Sequence, residues 1–114
     1  MRVILFKDRF AELVRTGEKR QTIREQARCK WGDKLSLRRW TGKPYRSKQE
    51  VLLETMCADV LDIIITETGI INHLGGQADH EAIAKRDGFR DWAEMREWFR
   101  NVHGLPFNGN VILW

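Results

Sequence analysis

The residue types best suited to chemistry lie close together in the run Gly17-Glu18-Lys19-Arg20-Gln21-Thr22-Ile23-Arg24. Its opening glycine tolerates positive φ, so the run reads as a helix end that turns sharply into a strand. Lys19 leaves that corner. Thr22 and Arg24, two apart on a strand, share one face. An amine, a hydroxyl and a guanidinium gathered in this way are a candidate base, nucleophile and anion clamp. The same trio also occurs in ordinary strands, where a Thr beside a Lys is structural. The residues alone leave both readings open.

A second candidate is the loop Trp40-Thr41-Gly42-Lys43-Pro44-Tyr45-Arg46, which mixes aromatic and basic groups. Trp40 or Tyr45 can stack on a base while Lys43 and Arg46 meet phosphate; the alternative is a surface loop pinned by one packed aromatic. His73, His80 and His103 do not form a metal set, because no pair has helical i, i+4 spacing and neither Cys29 nor Cys57 lies in a Cys-x-x-Cys motif. His103 reads as a residue near a helix C-terminus, where its charge is favourable. No cofactor is implied. Asp62, set among Leu61, Ile63 and Ile64, is either a buried polar residue with a partner or the outward residue of a strand.

The elements that must position these groups follow from the apolar pattern. Asp8 is expected to cap a first helix whose Phe10, Leu13 and Val14 share a face and which Gly17 stops. Gln21 to Arg24 reads as a short strand. Trp31-Gly32-Asp33 reads as a turn before a strand with alternating Leu35 and Leu37 that ends near Trp40. Strands follow at Val51–Met56 and Val60–Thr66, the second apolar on both faces and therefore expected to be central. A short helix is expected near Asp79–Arg86, ending at Gly88. A longer one opens at Asp91 with Glu94 three residues on, a variant of the capping box. Trp92, Met95, Trp98, Phe99 and Val102 line one face of it as core, Gly104 and Pro106 end it, and Val111 to Trp114 is a last strand. The order lacks the regular βαβ alternation of a parallel sheet. It fits an α+β fold: a small, mostly antiparallel barrel or sheet with helices at one side.

Length and composition set the frame. The chain of 114 residues allows one domain, 1–114, with one modest core; five Trp and five Phe supply its bulk. The apolar stretch Val3–Phe6 is too short for a signal peptide, and no apolar run approaches a membrane span. With two cysteines and no disulfide framework, the expected setting is a reducing cytoplasm with free thiols. Residues 1–50 hold 15 Lys+Arg and 6 Asp+Glu, a balance of +9, whereas residues 51–114 hold 5 and 10, a balance of −5. Such asymmetry marks either a face that meets phosphate or a solvated basic surface.

Gly17-x-Lys19-x-x-Thr22-x-Arg24, followed by the Gly32-Asp33 turn, resembles the signature of the ASCH domain family. The later Ala84-Lys85-Arg86-Asp87-Gly88-Phe89 resembles that family's Ala-x-x-Glu-Gly-Phe turn, so the resemblance spans most of the chain. It implies a PUA-like fold, a small β-barrel with flanking helices. Many ASCH domains carry Glu where Thr22 stands. The small bacterial branch with Thr there resembles the YqfB-type amidohydrolases, which remove the acetyl group from N(4)-acetylcytidine with a Lys, a Thr and a Glu. The resemblance carries those roles to Lys19, Thr22 and Asp87, the last one methylene shorter than the family's Glu. The loop from Trp40 to Arg46 also resembles a feature of phage-type ASCH proteins.

On this reading Thr22 attacks the acyl carbonyl and Lys19 takes its proton, which needs a neutral amine. An unperturbed Lys titrates near ~10.4, so its pKa must fall. Burial and the charges of Arg20 and Arg24 push it down, Asp87 pushes it up, and a proton shared between Lys19 and Asp87 is the expected compromise. Arg20, Arg24, Trp40, Lys43, Tyr45 and Arg46 are the expected substrate or phosphate contacts. The partner is a modified pyrimidine nucleoside or RNA, and the protein a monomer or small homo-oligomer. Two other readings stand beside the amidohydrolase: an RNA-binding PUA-like module without catalysis, and a ribonuclease.

Overall fold

Seven strands and three helices follow in the order β1 (Arg2–Leu5), α1 (Asp8–Thr16), β2 (Gln21–Arg24), β3 (Lys34–Trp40), β4 (Gln49–Met56), β5 (Asp59–Ile65), β6 (Ile70–Ile71), α2 (His80–Arg86), α3 (Trp92–Val102) and β7 (Phe107–Leu113). This is a computed structural model, and it describes residues 1–114.

The strands make two sheets. One has the order β1-β3-β4, with β1 parallel to β3 and β3 antiparallel to β4; the other has the order β2-β7-β5-β6 and is antiparallel throughout. The chain changes sheets at two consecutive residues. Cys57 donates its N–H to Asp33 O in the first sheet at 2.8 Å, and Ala58 donates to Leu113 O in the second at 2.7 Å. The fold is therefore α+β and mostly antiparallel, but the two sheets share no ladder and do not close into a barrel. Between sheets and helices lies one cluster of 23 buried apolar residues, from Ile4 to Trp114. No helix is long and apolar enough to cross a membrane.

Most elements fall where the apolar pattern predicts, and the departures have physical causes. β1 is not anticipated: four residues carry too little alternation to announce a strand, and its identity comes from the partner β3. The two-residue β6 goes unanticipated for the same reason. β7 starts at Phe107 rather than Val111, because Asn108, Gly109 and Asn110 hide the pattern. β5 is flanked by β7 along its length but by β6 only at Ile64 and Ile65. Asp62 is exposed and accepts from Asn110 Nδ2 across the β5–β7 pair at 2.6 Å, so it is the outward residue of the strand. Asp8 does not cap α1. Lys7 holds the N-cap position without a side-chain bond, and Asp8 is the first helical residue, where its charge still suits the helix dipole.

Both later helices are capped by an aspartate, of which the sequence pattern anticipates only Asp91. Asp79 accepts from Ala82 N at 3.1 Å. Asp91 accepts from Glu94 N at 2.8 Å, while Glu94 reaches back one residue further than in a regular capping box, to Arg90 N at 3.0 Å. On α3, Trp92, Met95 and Phe99 are buried as expected, but Val102 is 47% exposed.

Candidate functional site

The turn after α1 delivers Lys19 to the interior. Gly17 adopts φ 84°, and Lys19 N–H donates to Leu13 O at 2.9 Å, which folds the chain back beneath the helix. The turn after α2 delivers Asp87 from the other side. Asp87 is its C-cap, and Gly88 follows at φ 97°. A Cβ on Gly88 would lie 3.1 Å from Phe10 Cδ1 and 3.2 Å from Leu13 Cδ1, so only glycine lets this turn press against α1.

Lys19 Nζ meets Asp87 Oδ1 at 3.2 Å, with the side chains 2% and 6% exposed, and also donates to the Asp87 backbone carbonyl. The shorter carboxylate thus reaches the amine. Gln21, also buried, donates from Nε2 to Asp87 Oδ1 at 3.3 Å and to Ile83 O at 3.4 Å, which holds the carboxylate in place. Burial pushes the Lys19 amine below its usual range, against the attraction of Asp87; Arg24 and Arg9 push the same way as burial. Burial raises the Asp87 carboxyl, against Lys19, Gln21 and Arg24. Each group is moved toward its neutral form, the condition for sharing a proton.

Thr22 and Arg24 share a face of β2, as their spacing predicts. Arg24 Nε donates to Thr22 Oγ1 at 3.1 Å, and another guanidinium nitrogen donates to Leu5 O at 2.9 Å. Burial lowers the Arg24 pKa to about 10, so it stays charged at neutral pH. Because Thr22 Oγ1 accepts from a cation, its own hydrogen is free to leave, and negative charge developing on the oxygen is stabilised. Thr22 and Lys19 are not hydrogen-bonded to each other.

Lys19, Thr22, Arg24 and Asp87 border one cavity of about 250 Å³. Its walls are aromatic: Phe6, Phe10, Phe89, Trp98 and Phe99. Lys19 Nζ stands 4.9 Å from the centroid of Phe10, and the Arg24 guanidinium 5.1 Å from that of Phe6. The exposed residues Lys7, Glu25, Val102 and His103 form the rim. The cavity thus combines aromatic walls with a floor of basic and acidic groups.

The other expected contacts lie elsewhere. Arg20, just before β2, is exposed, donates from Nε to Trp114 O at 3.3 Å and does not line the cavity. Trp40 and Tyr45 pack on each other with centroids 5.1 Å apart, and Tyr45 is 87% exposed. Lys43 and Arg46 sit on the same exposed loop and make no ion pair. Trp40 borders a separate groove that shares Leu5, Phe6 and Lys7 with the cavity wall.

Gln21, Lys7, Glu25 and the aromatic walls are the residues that sequence reasoning misses. Gln21 lay inside the run already singled out. Trp98 and Phe99 read as core, and they are core on one side and cavity wall on the other. His103 does sit at the end of α3, but desolvation there pushes its pKa down rather than favouring its charge. No three His, Cys, Asp or Glu side chains gather where they can hold a metal ion. No family model matches this chain, and neither does any curated protein or solved structure.

Proposed function

We propose that the chain is an ASCH-like amidohydrolase that removes the acyl group from N(4)-acylated cytidine or a related amide. The observation that carries this reading is the buried Lys19–Asp87 pair at the floor of an aromatic cavity that Thr22 also borders. The aromatic walls suit a pyrimidine ring, and the floor suits proton transfer. Thr22 Oγ bonds to the acyl carbon, and its proton passes to the Lys19 amine. The C–N bond breaks as that proton is returned to the leaving N4 nitrogen. Water then cleaves the Thr22 ester, releasing the acid and restoring the hydroxyl. Asp87 holds the proton-carrying amine in place, and Arg24 stabilises the charge on Thr22. On the same reading the fold is PUA-like although its two sheets stay open; the sheet change at Cys57 and Ala58 supports that relation. Incubation with N(4)-acetylcytidine, with release of cytidine followed by chromatography, tests the activity directly.

A second reading, an RNA-binding module or ribonuclease, is favoured by one observation: Lys43, Arg46 and Lys48 are exposed on one loop without carboxylate partners. Salt-dependent RNA affinity without nucleoside turnover is its distinguishing result.

A further inference from the structure

The polar groups on the cavity floor are paired with one another, but those at its mouth are not. His103 ends α3, anchored by its backbone N–H to Phe99 O at 2.9 Å. Its imidazole lies on Phe99, with centroids 5.5 Å apart and planes 29° apart, and beside Phe107 at 4.7 Å. Packing therefore orients the ring, and neither ring nitrogen is hydrogen-bonded within the protein. Lys7 stands at the same mouth, its ammonium 5.2 Å from the centroid of Trp98 and without a carboxylate partner. Arg24, deeper in the cavity, is already engaged with Thr22 Oγ1 and Leu5 O. Glu25 is the one carboxylate on the rim.

We propose that Lys7 and His103 bind the phosphate of a pyrimidine nucleotide, so that the substrate class is a nucleoside monophosphate rather than a free nucleoside; this rests on reading the cavity as a pyrimidine-amide site. The volume of about 250 Å³ lies just below the range usual for drug-sized ligands, and its aromatic interior suits the base. Sugar and phosphate then lie at the rim, where the cations stand. Glu25 accepts hydrogen bonds from hydroxyls and so matches the sugar.

Protonation follows binding. In the free protein, desolvation pushes the His103 imidazole below its usual value, Glu25 opposes that, and Lys7 and Arg24 push it lower still. A phosphate in contact reverses the balance, so binding takes up a proton. Affinity for the phosphate therefore strengthens as pH falls through the raised pKa of the bound imidazole and levels off below that of the free one.

NMR titration of the histidine ring protons tests this, with His103 assigned from a His103→Gln variant and the ligands cytidine, cytidine 5′-monophosphate and inorganic phosphate. The monophosphate is expected to raise the His103 pKa and to bind about ten-fold tighter than cytidine, the size of effect a charge-assisted hydrogen bond gives. That preference is expected to shrink in both His103→Gln and Lys7→Met. Equal affinity for the two ligands, an unmoved His103, or the same shift from inorganic phosphate at equal concentration would overturn the proposal. Turnover of N(4)-acetylcytidine and its 5′-monophosphate is measured alongside. A nucleotide-specific shift without turnover of either supports the nucleotide site and sinks the amidohydrolase. Equal turnover of both with His103 unmoved overturns the nucleotide site alone.

Discussion

Lys19 Nζ and Asp87 Oδ1, 68 residues apart in the chain, meet at 3.2 Å in a place where neither side chain is more than 6% exposed. A buried ion pair costs desolvation on both sides, so it is weak evidence for stability, and the damage comes from removing one member. Lys19→Met should therefore destabilise the fold by about 3–5 kcal/mol, because it leaves the Asp87 carboxyl buried alone. The double variant Lys19→Met/Asp87→Leu should regain most of that loss while remaining inactive. Urea unfolding of the three proteins gives the comparison. A double variant no more stable than the single one would mean that the pair is needed for the fold.

Thr22→Val should abolish hydrolysis and leave the fold standing. Val keeps the shape of the Thr22 side chain and removes the oxygen that Arg24 Nε contacts at 3.1 Å, a loss of about 1–3 kcal/mol for the stranded donor. Thr22→Ser should retain turnover. Lys19→Arg should not, since a guanidinium does not give up its proton at usable pH. Rates within a few-fold of wild type in Thr22→Val would remove Thr22 as the nucleophile.

Asp87→Asn should lower the maximal rate and shift the pH profile in a defined direction. Hydrolysis needs neutral Lys19, so its rate rises with pH through the Lys19 pKa. Asp87 holds that pKa up against burial. Replacing it with a neutral amide lets the pKa fall further, so the acidic limb should move to lower pH. An unchanged limb in a pH–rate series would show that the two groups do not share a proton.

Gly88→Ala should cost about 1–3 kcal/mol, because φ 97° is strained for alanine and its Cβ would meet Phe10 and Leu13 at 3.1–3.2 Å. Since the same turn carries Asp87 and Phe89, turnover should fall more than the loss of folded protein accounts for. Thermal unfolding and single-turnover rates, measured on the same sample, separate the two effects.

Replacing Lys43, Arg46 and Lys48 together by Ala distinguishes an enzyme from an RNA-binding module. If the loop contacts RNA phosphates, the salt slope of RNA affinity should fall by about two to three units. Hydrolysis of uncharged N(4)-acetylcytidine should not change, because the loop lies outside the cavity. RNA affinity that is lost in the variant, with no nucleoside turnover in either protein, would leave the binding module as the function.

The local pattern carried a good deal of this protein. Gly17, the alternation of Leu35 and Leu37, and the cap Asp91 are readable because each rests on interactions within a few residues of chain. The face shared by Thr22 and Arg24 is readable for the same reason, since strand geometry alone puts them together. What the chain order leaves undecided is set by distant partners. Arg2–Leu5 is a strand because β3 lies beside it, and Asp87 reaches Lys19 because Gly88 lets α2 end against α1. Arg20 and the Trp40–Arg46 loop looked equally suited to a ligand by residue type, yet packing leaves them outside the cavity, while His103 and Lys7 come to its mouth. Residue type and spacing determined which groups can do chemistry, and tertiary packing decided which of them share a buried, aromatic space in which their pKa values move.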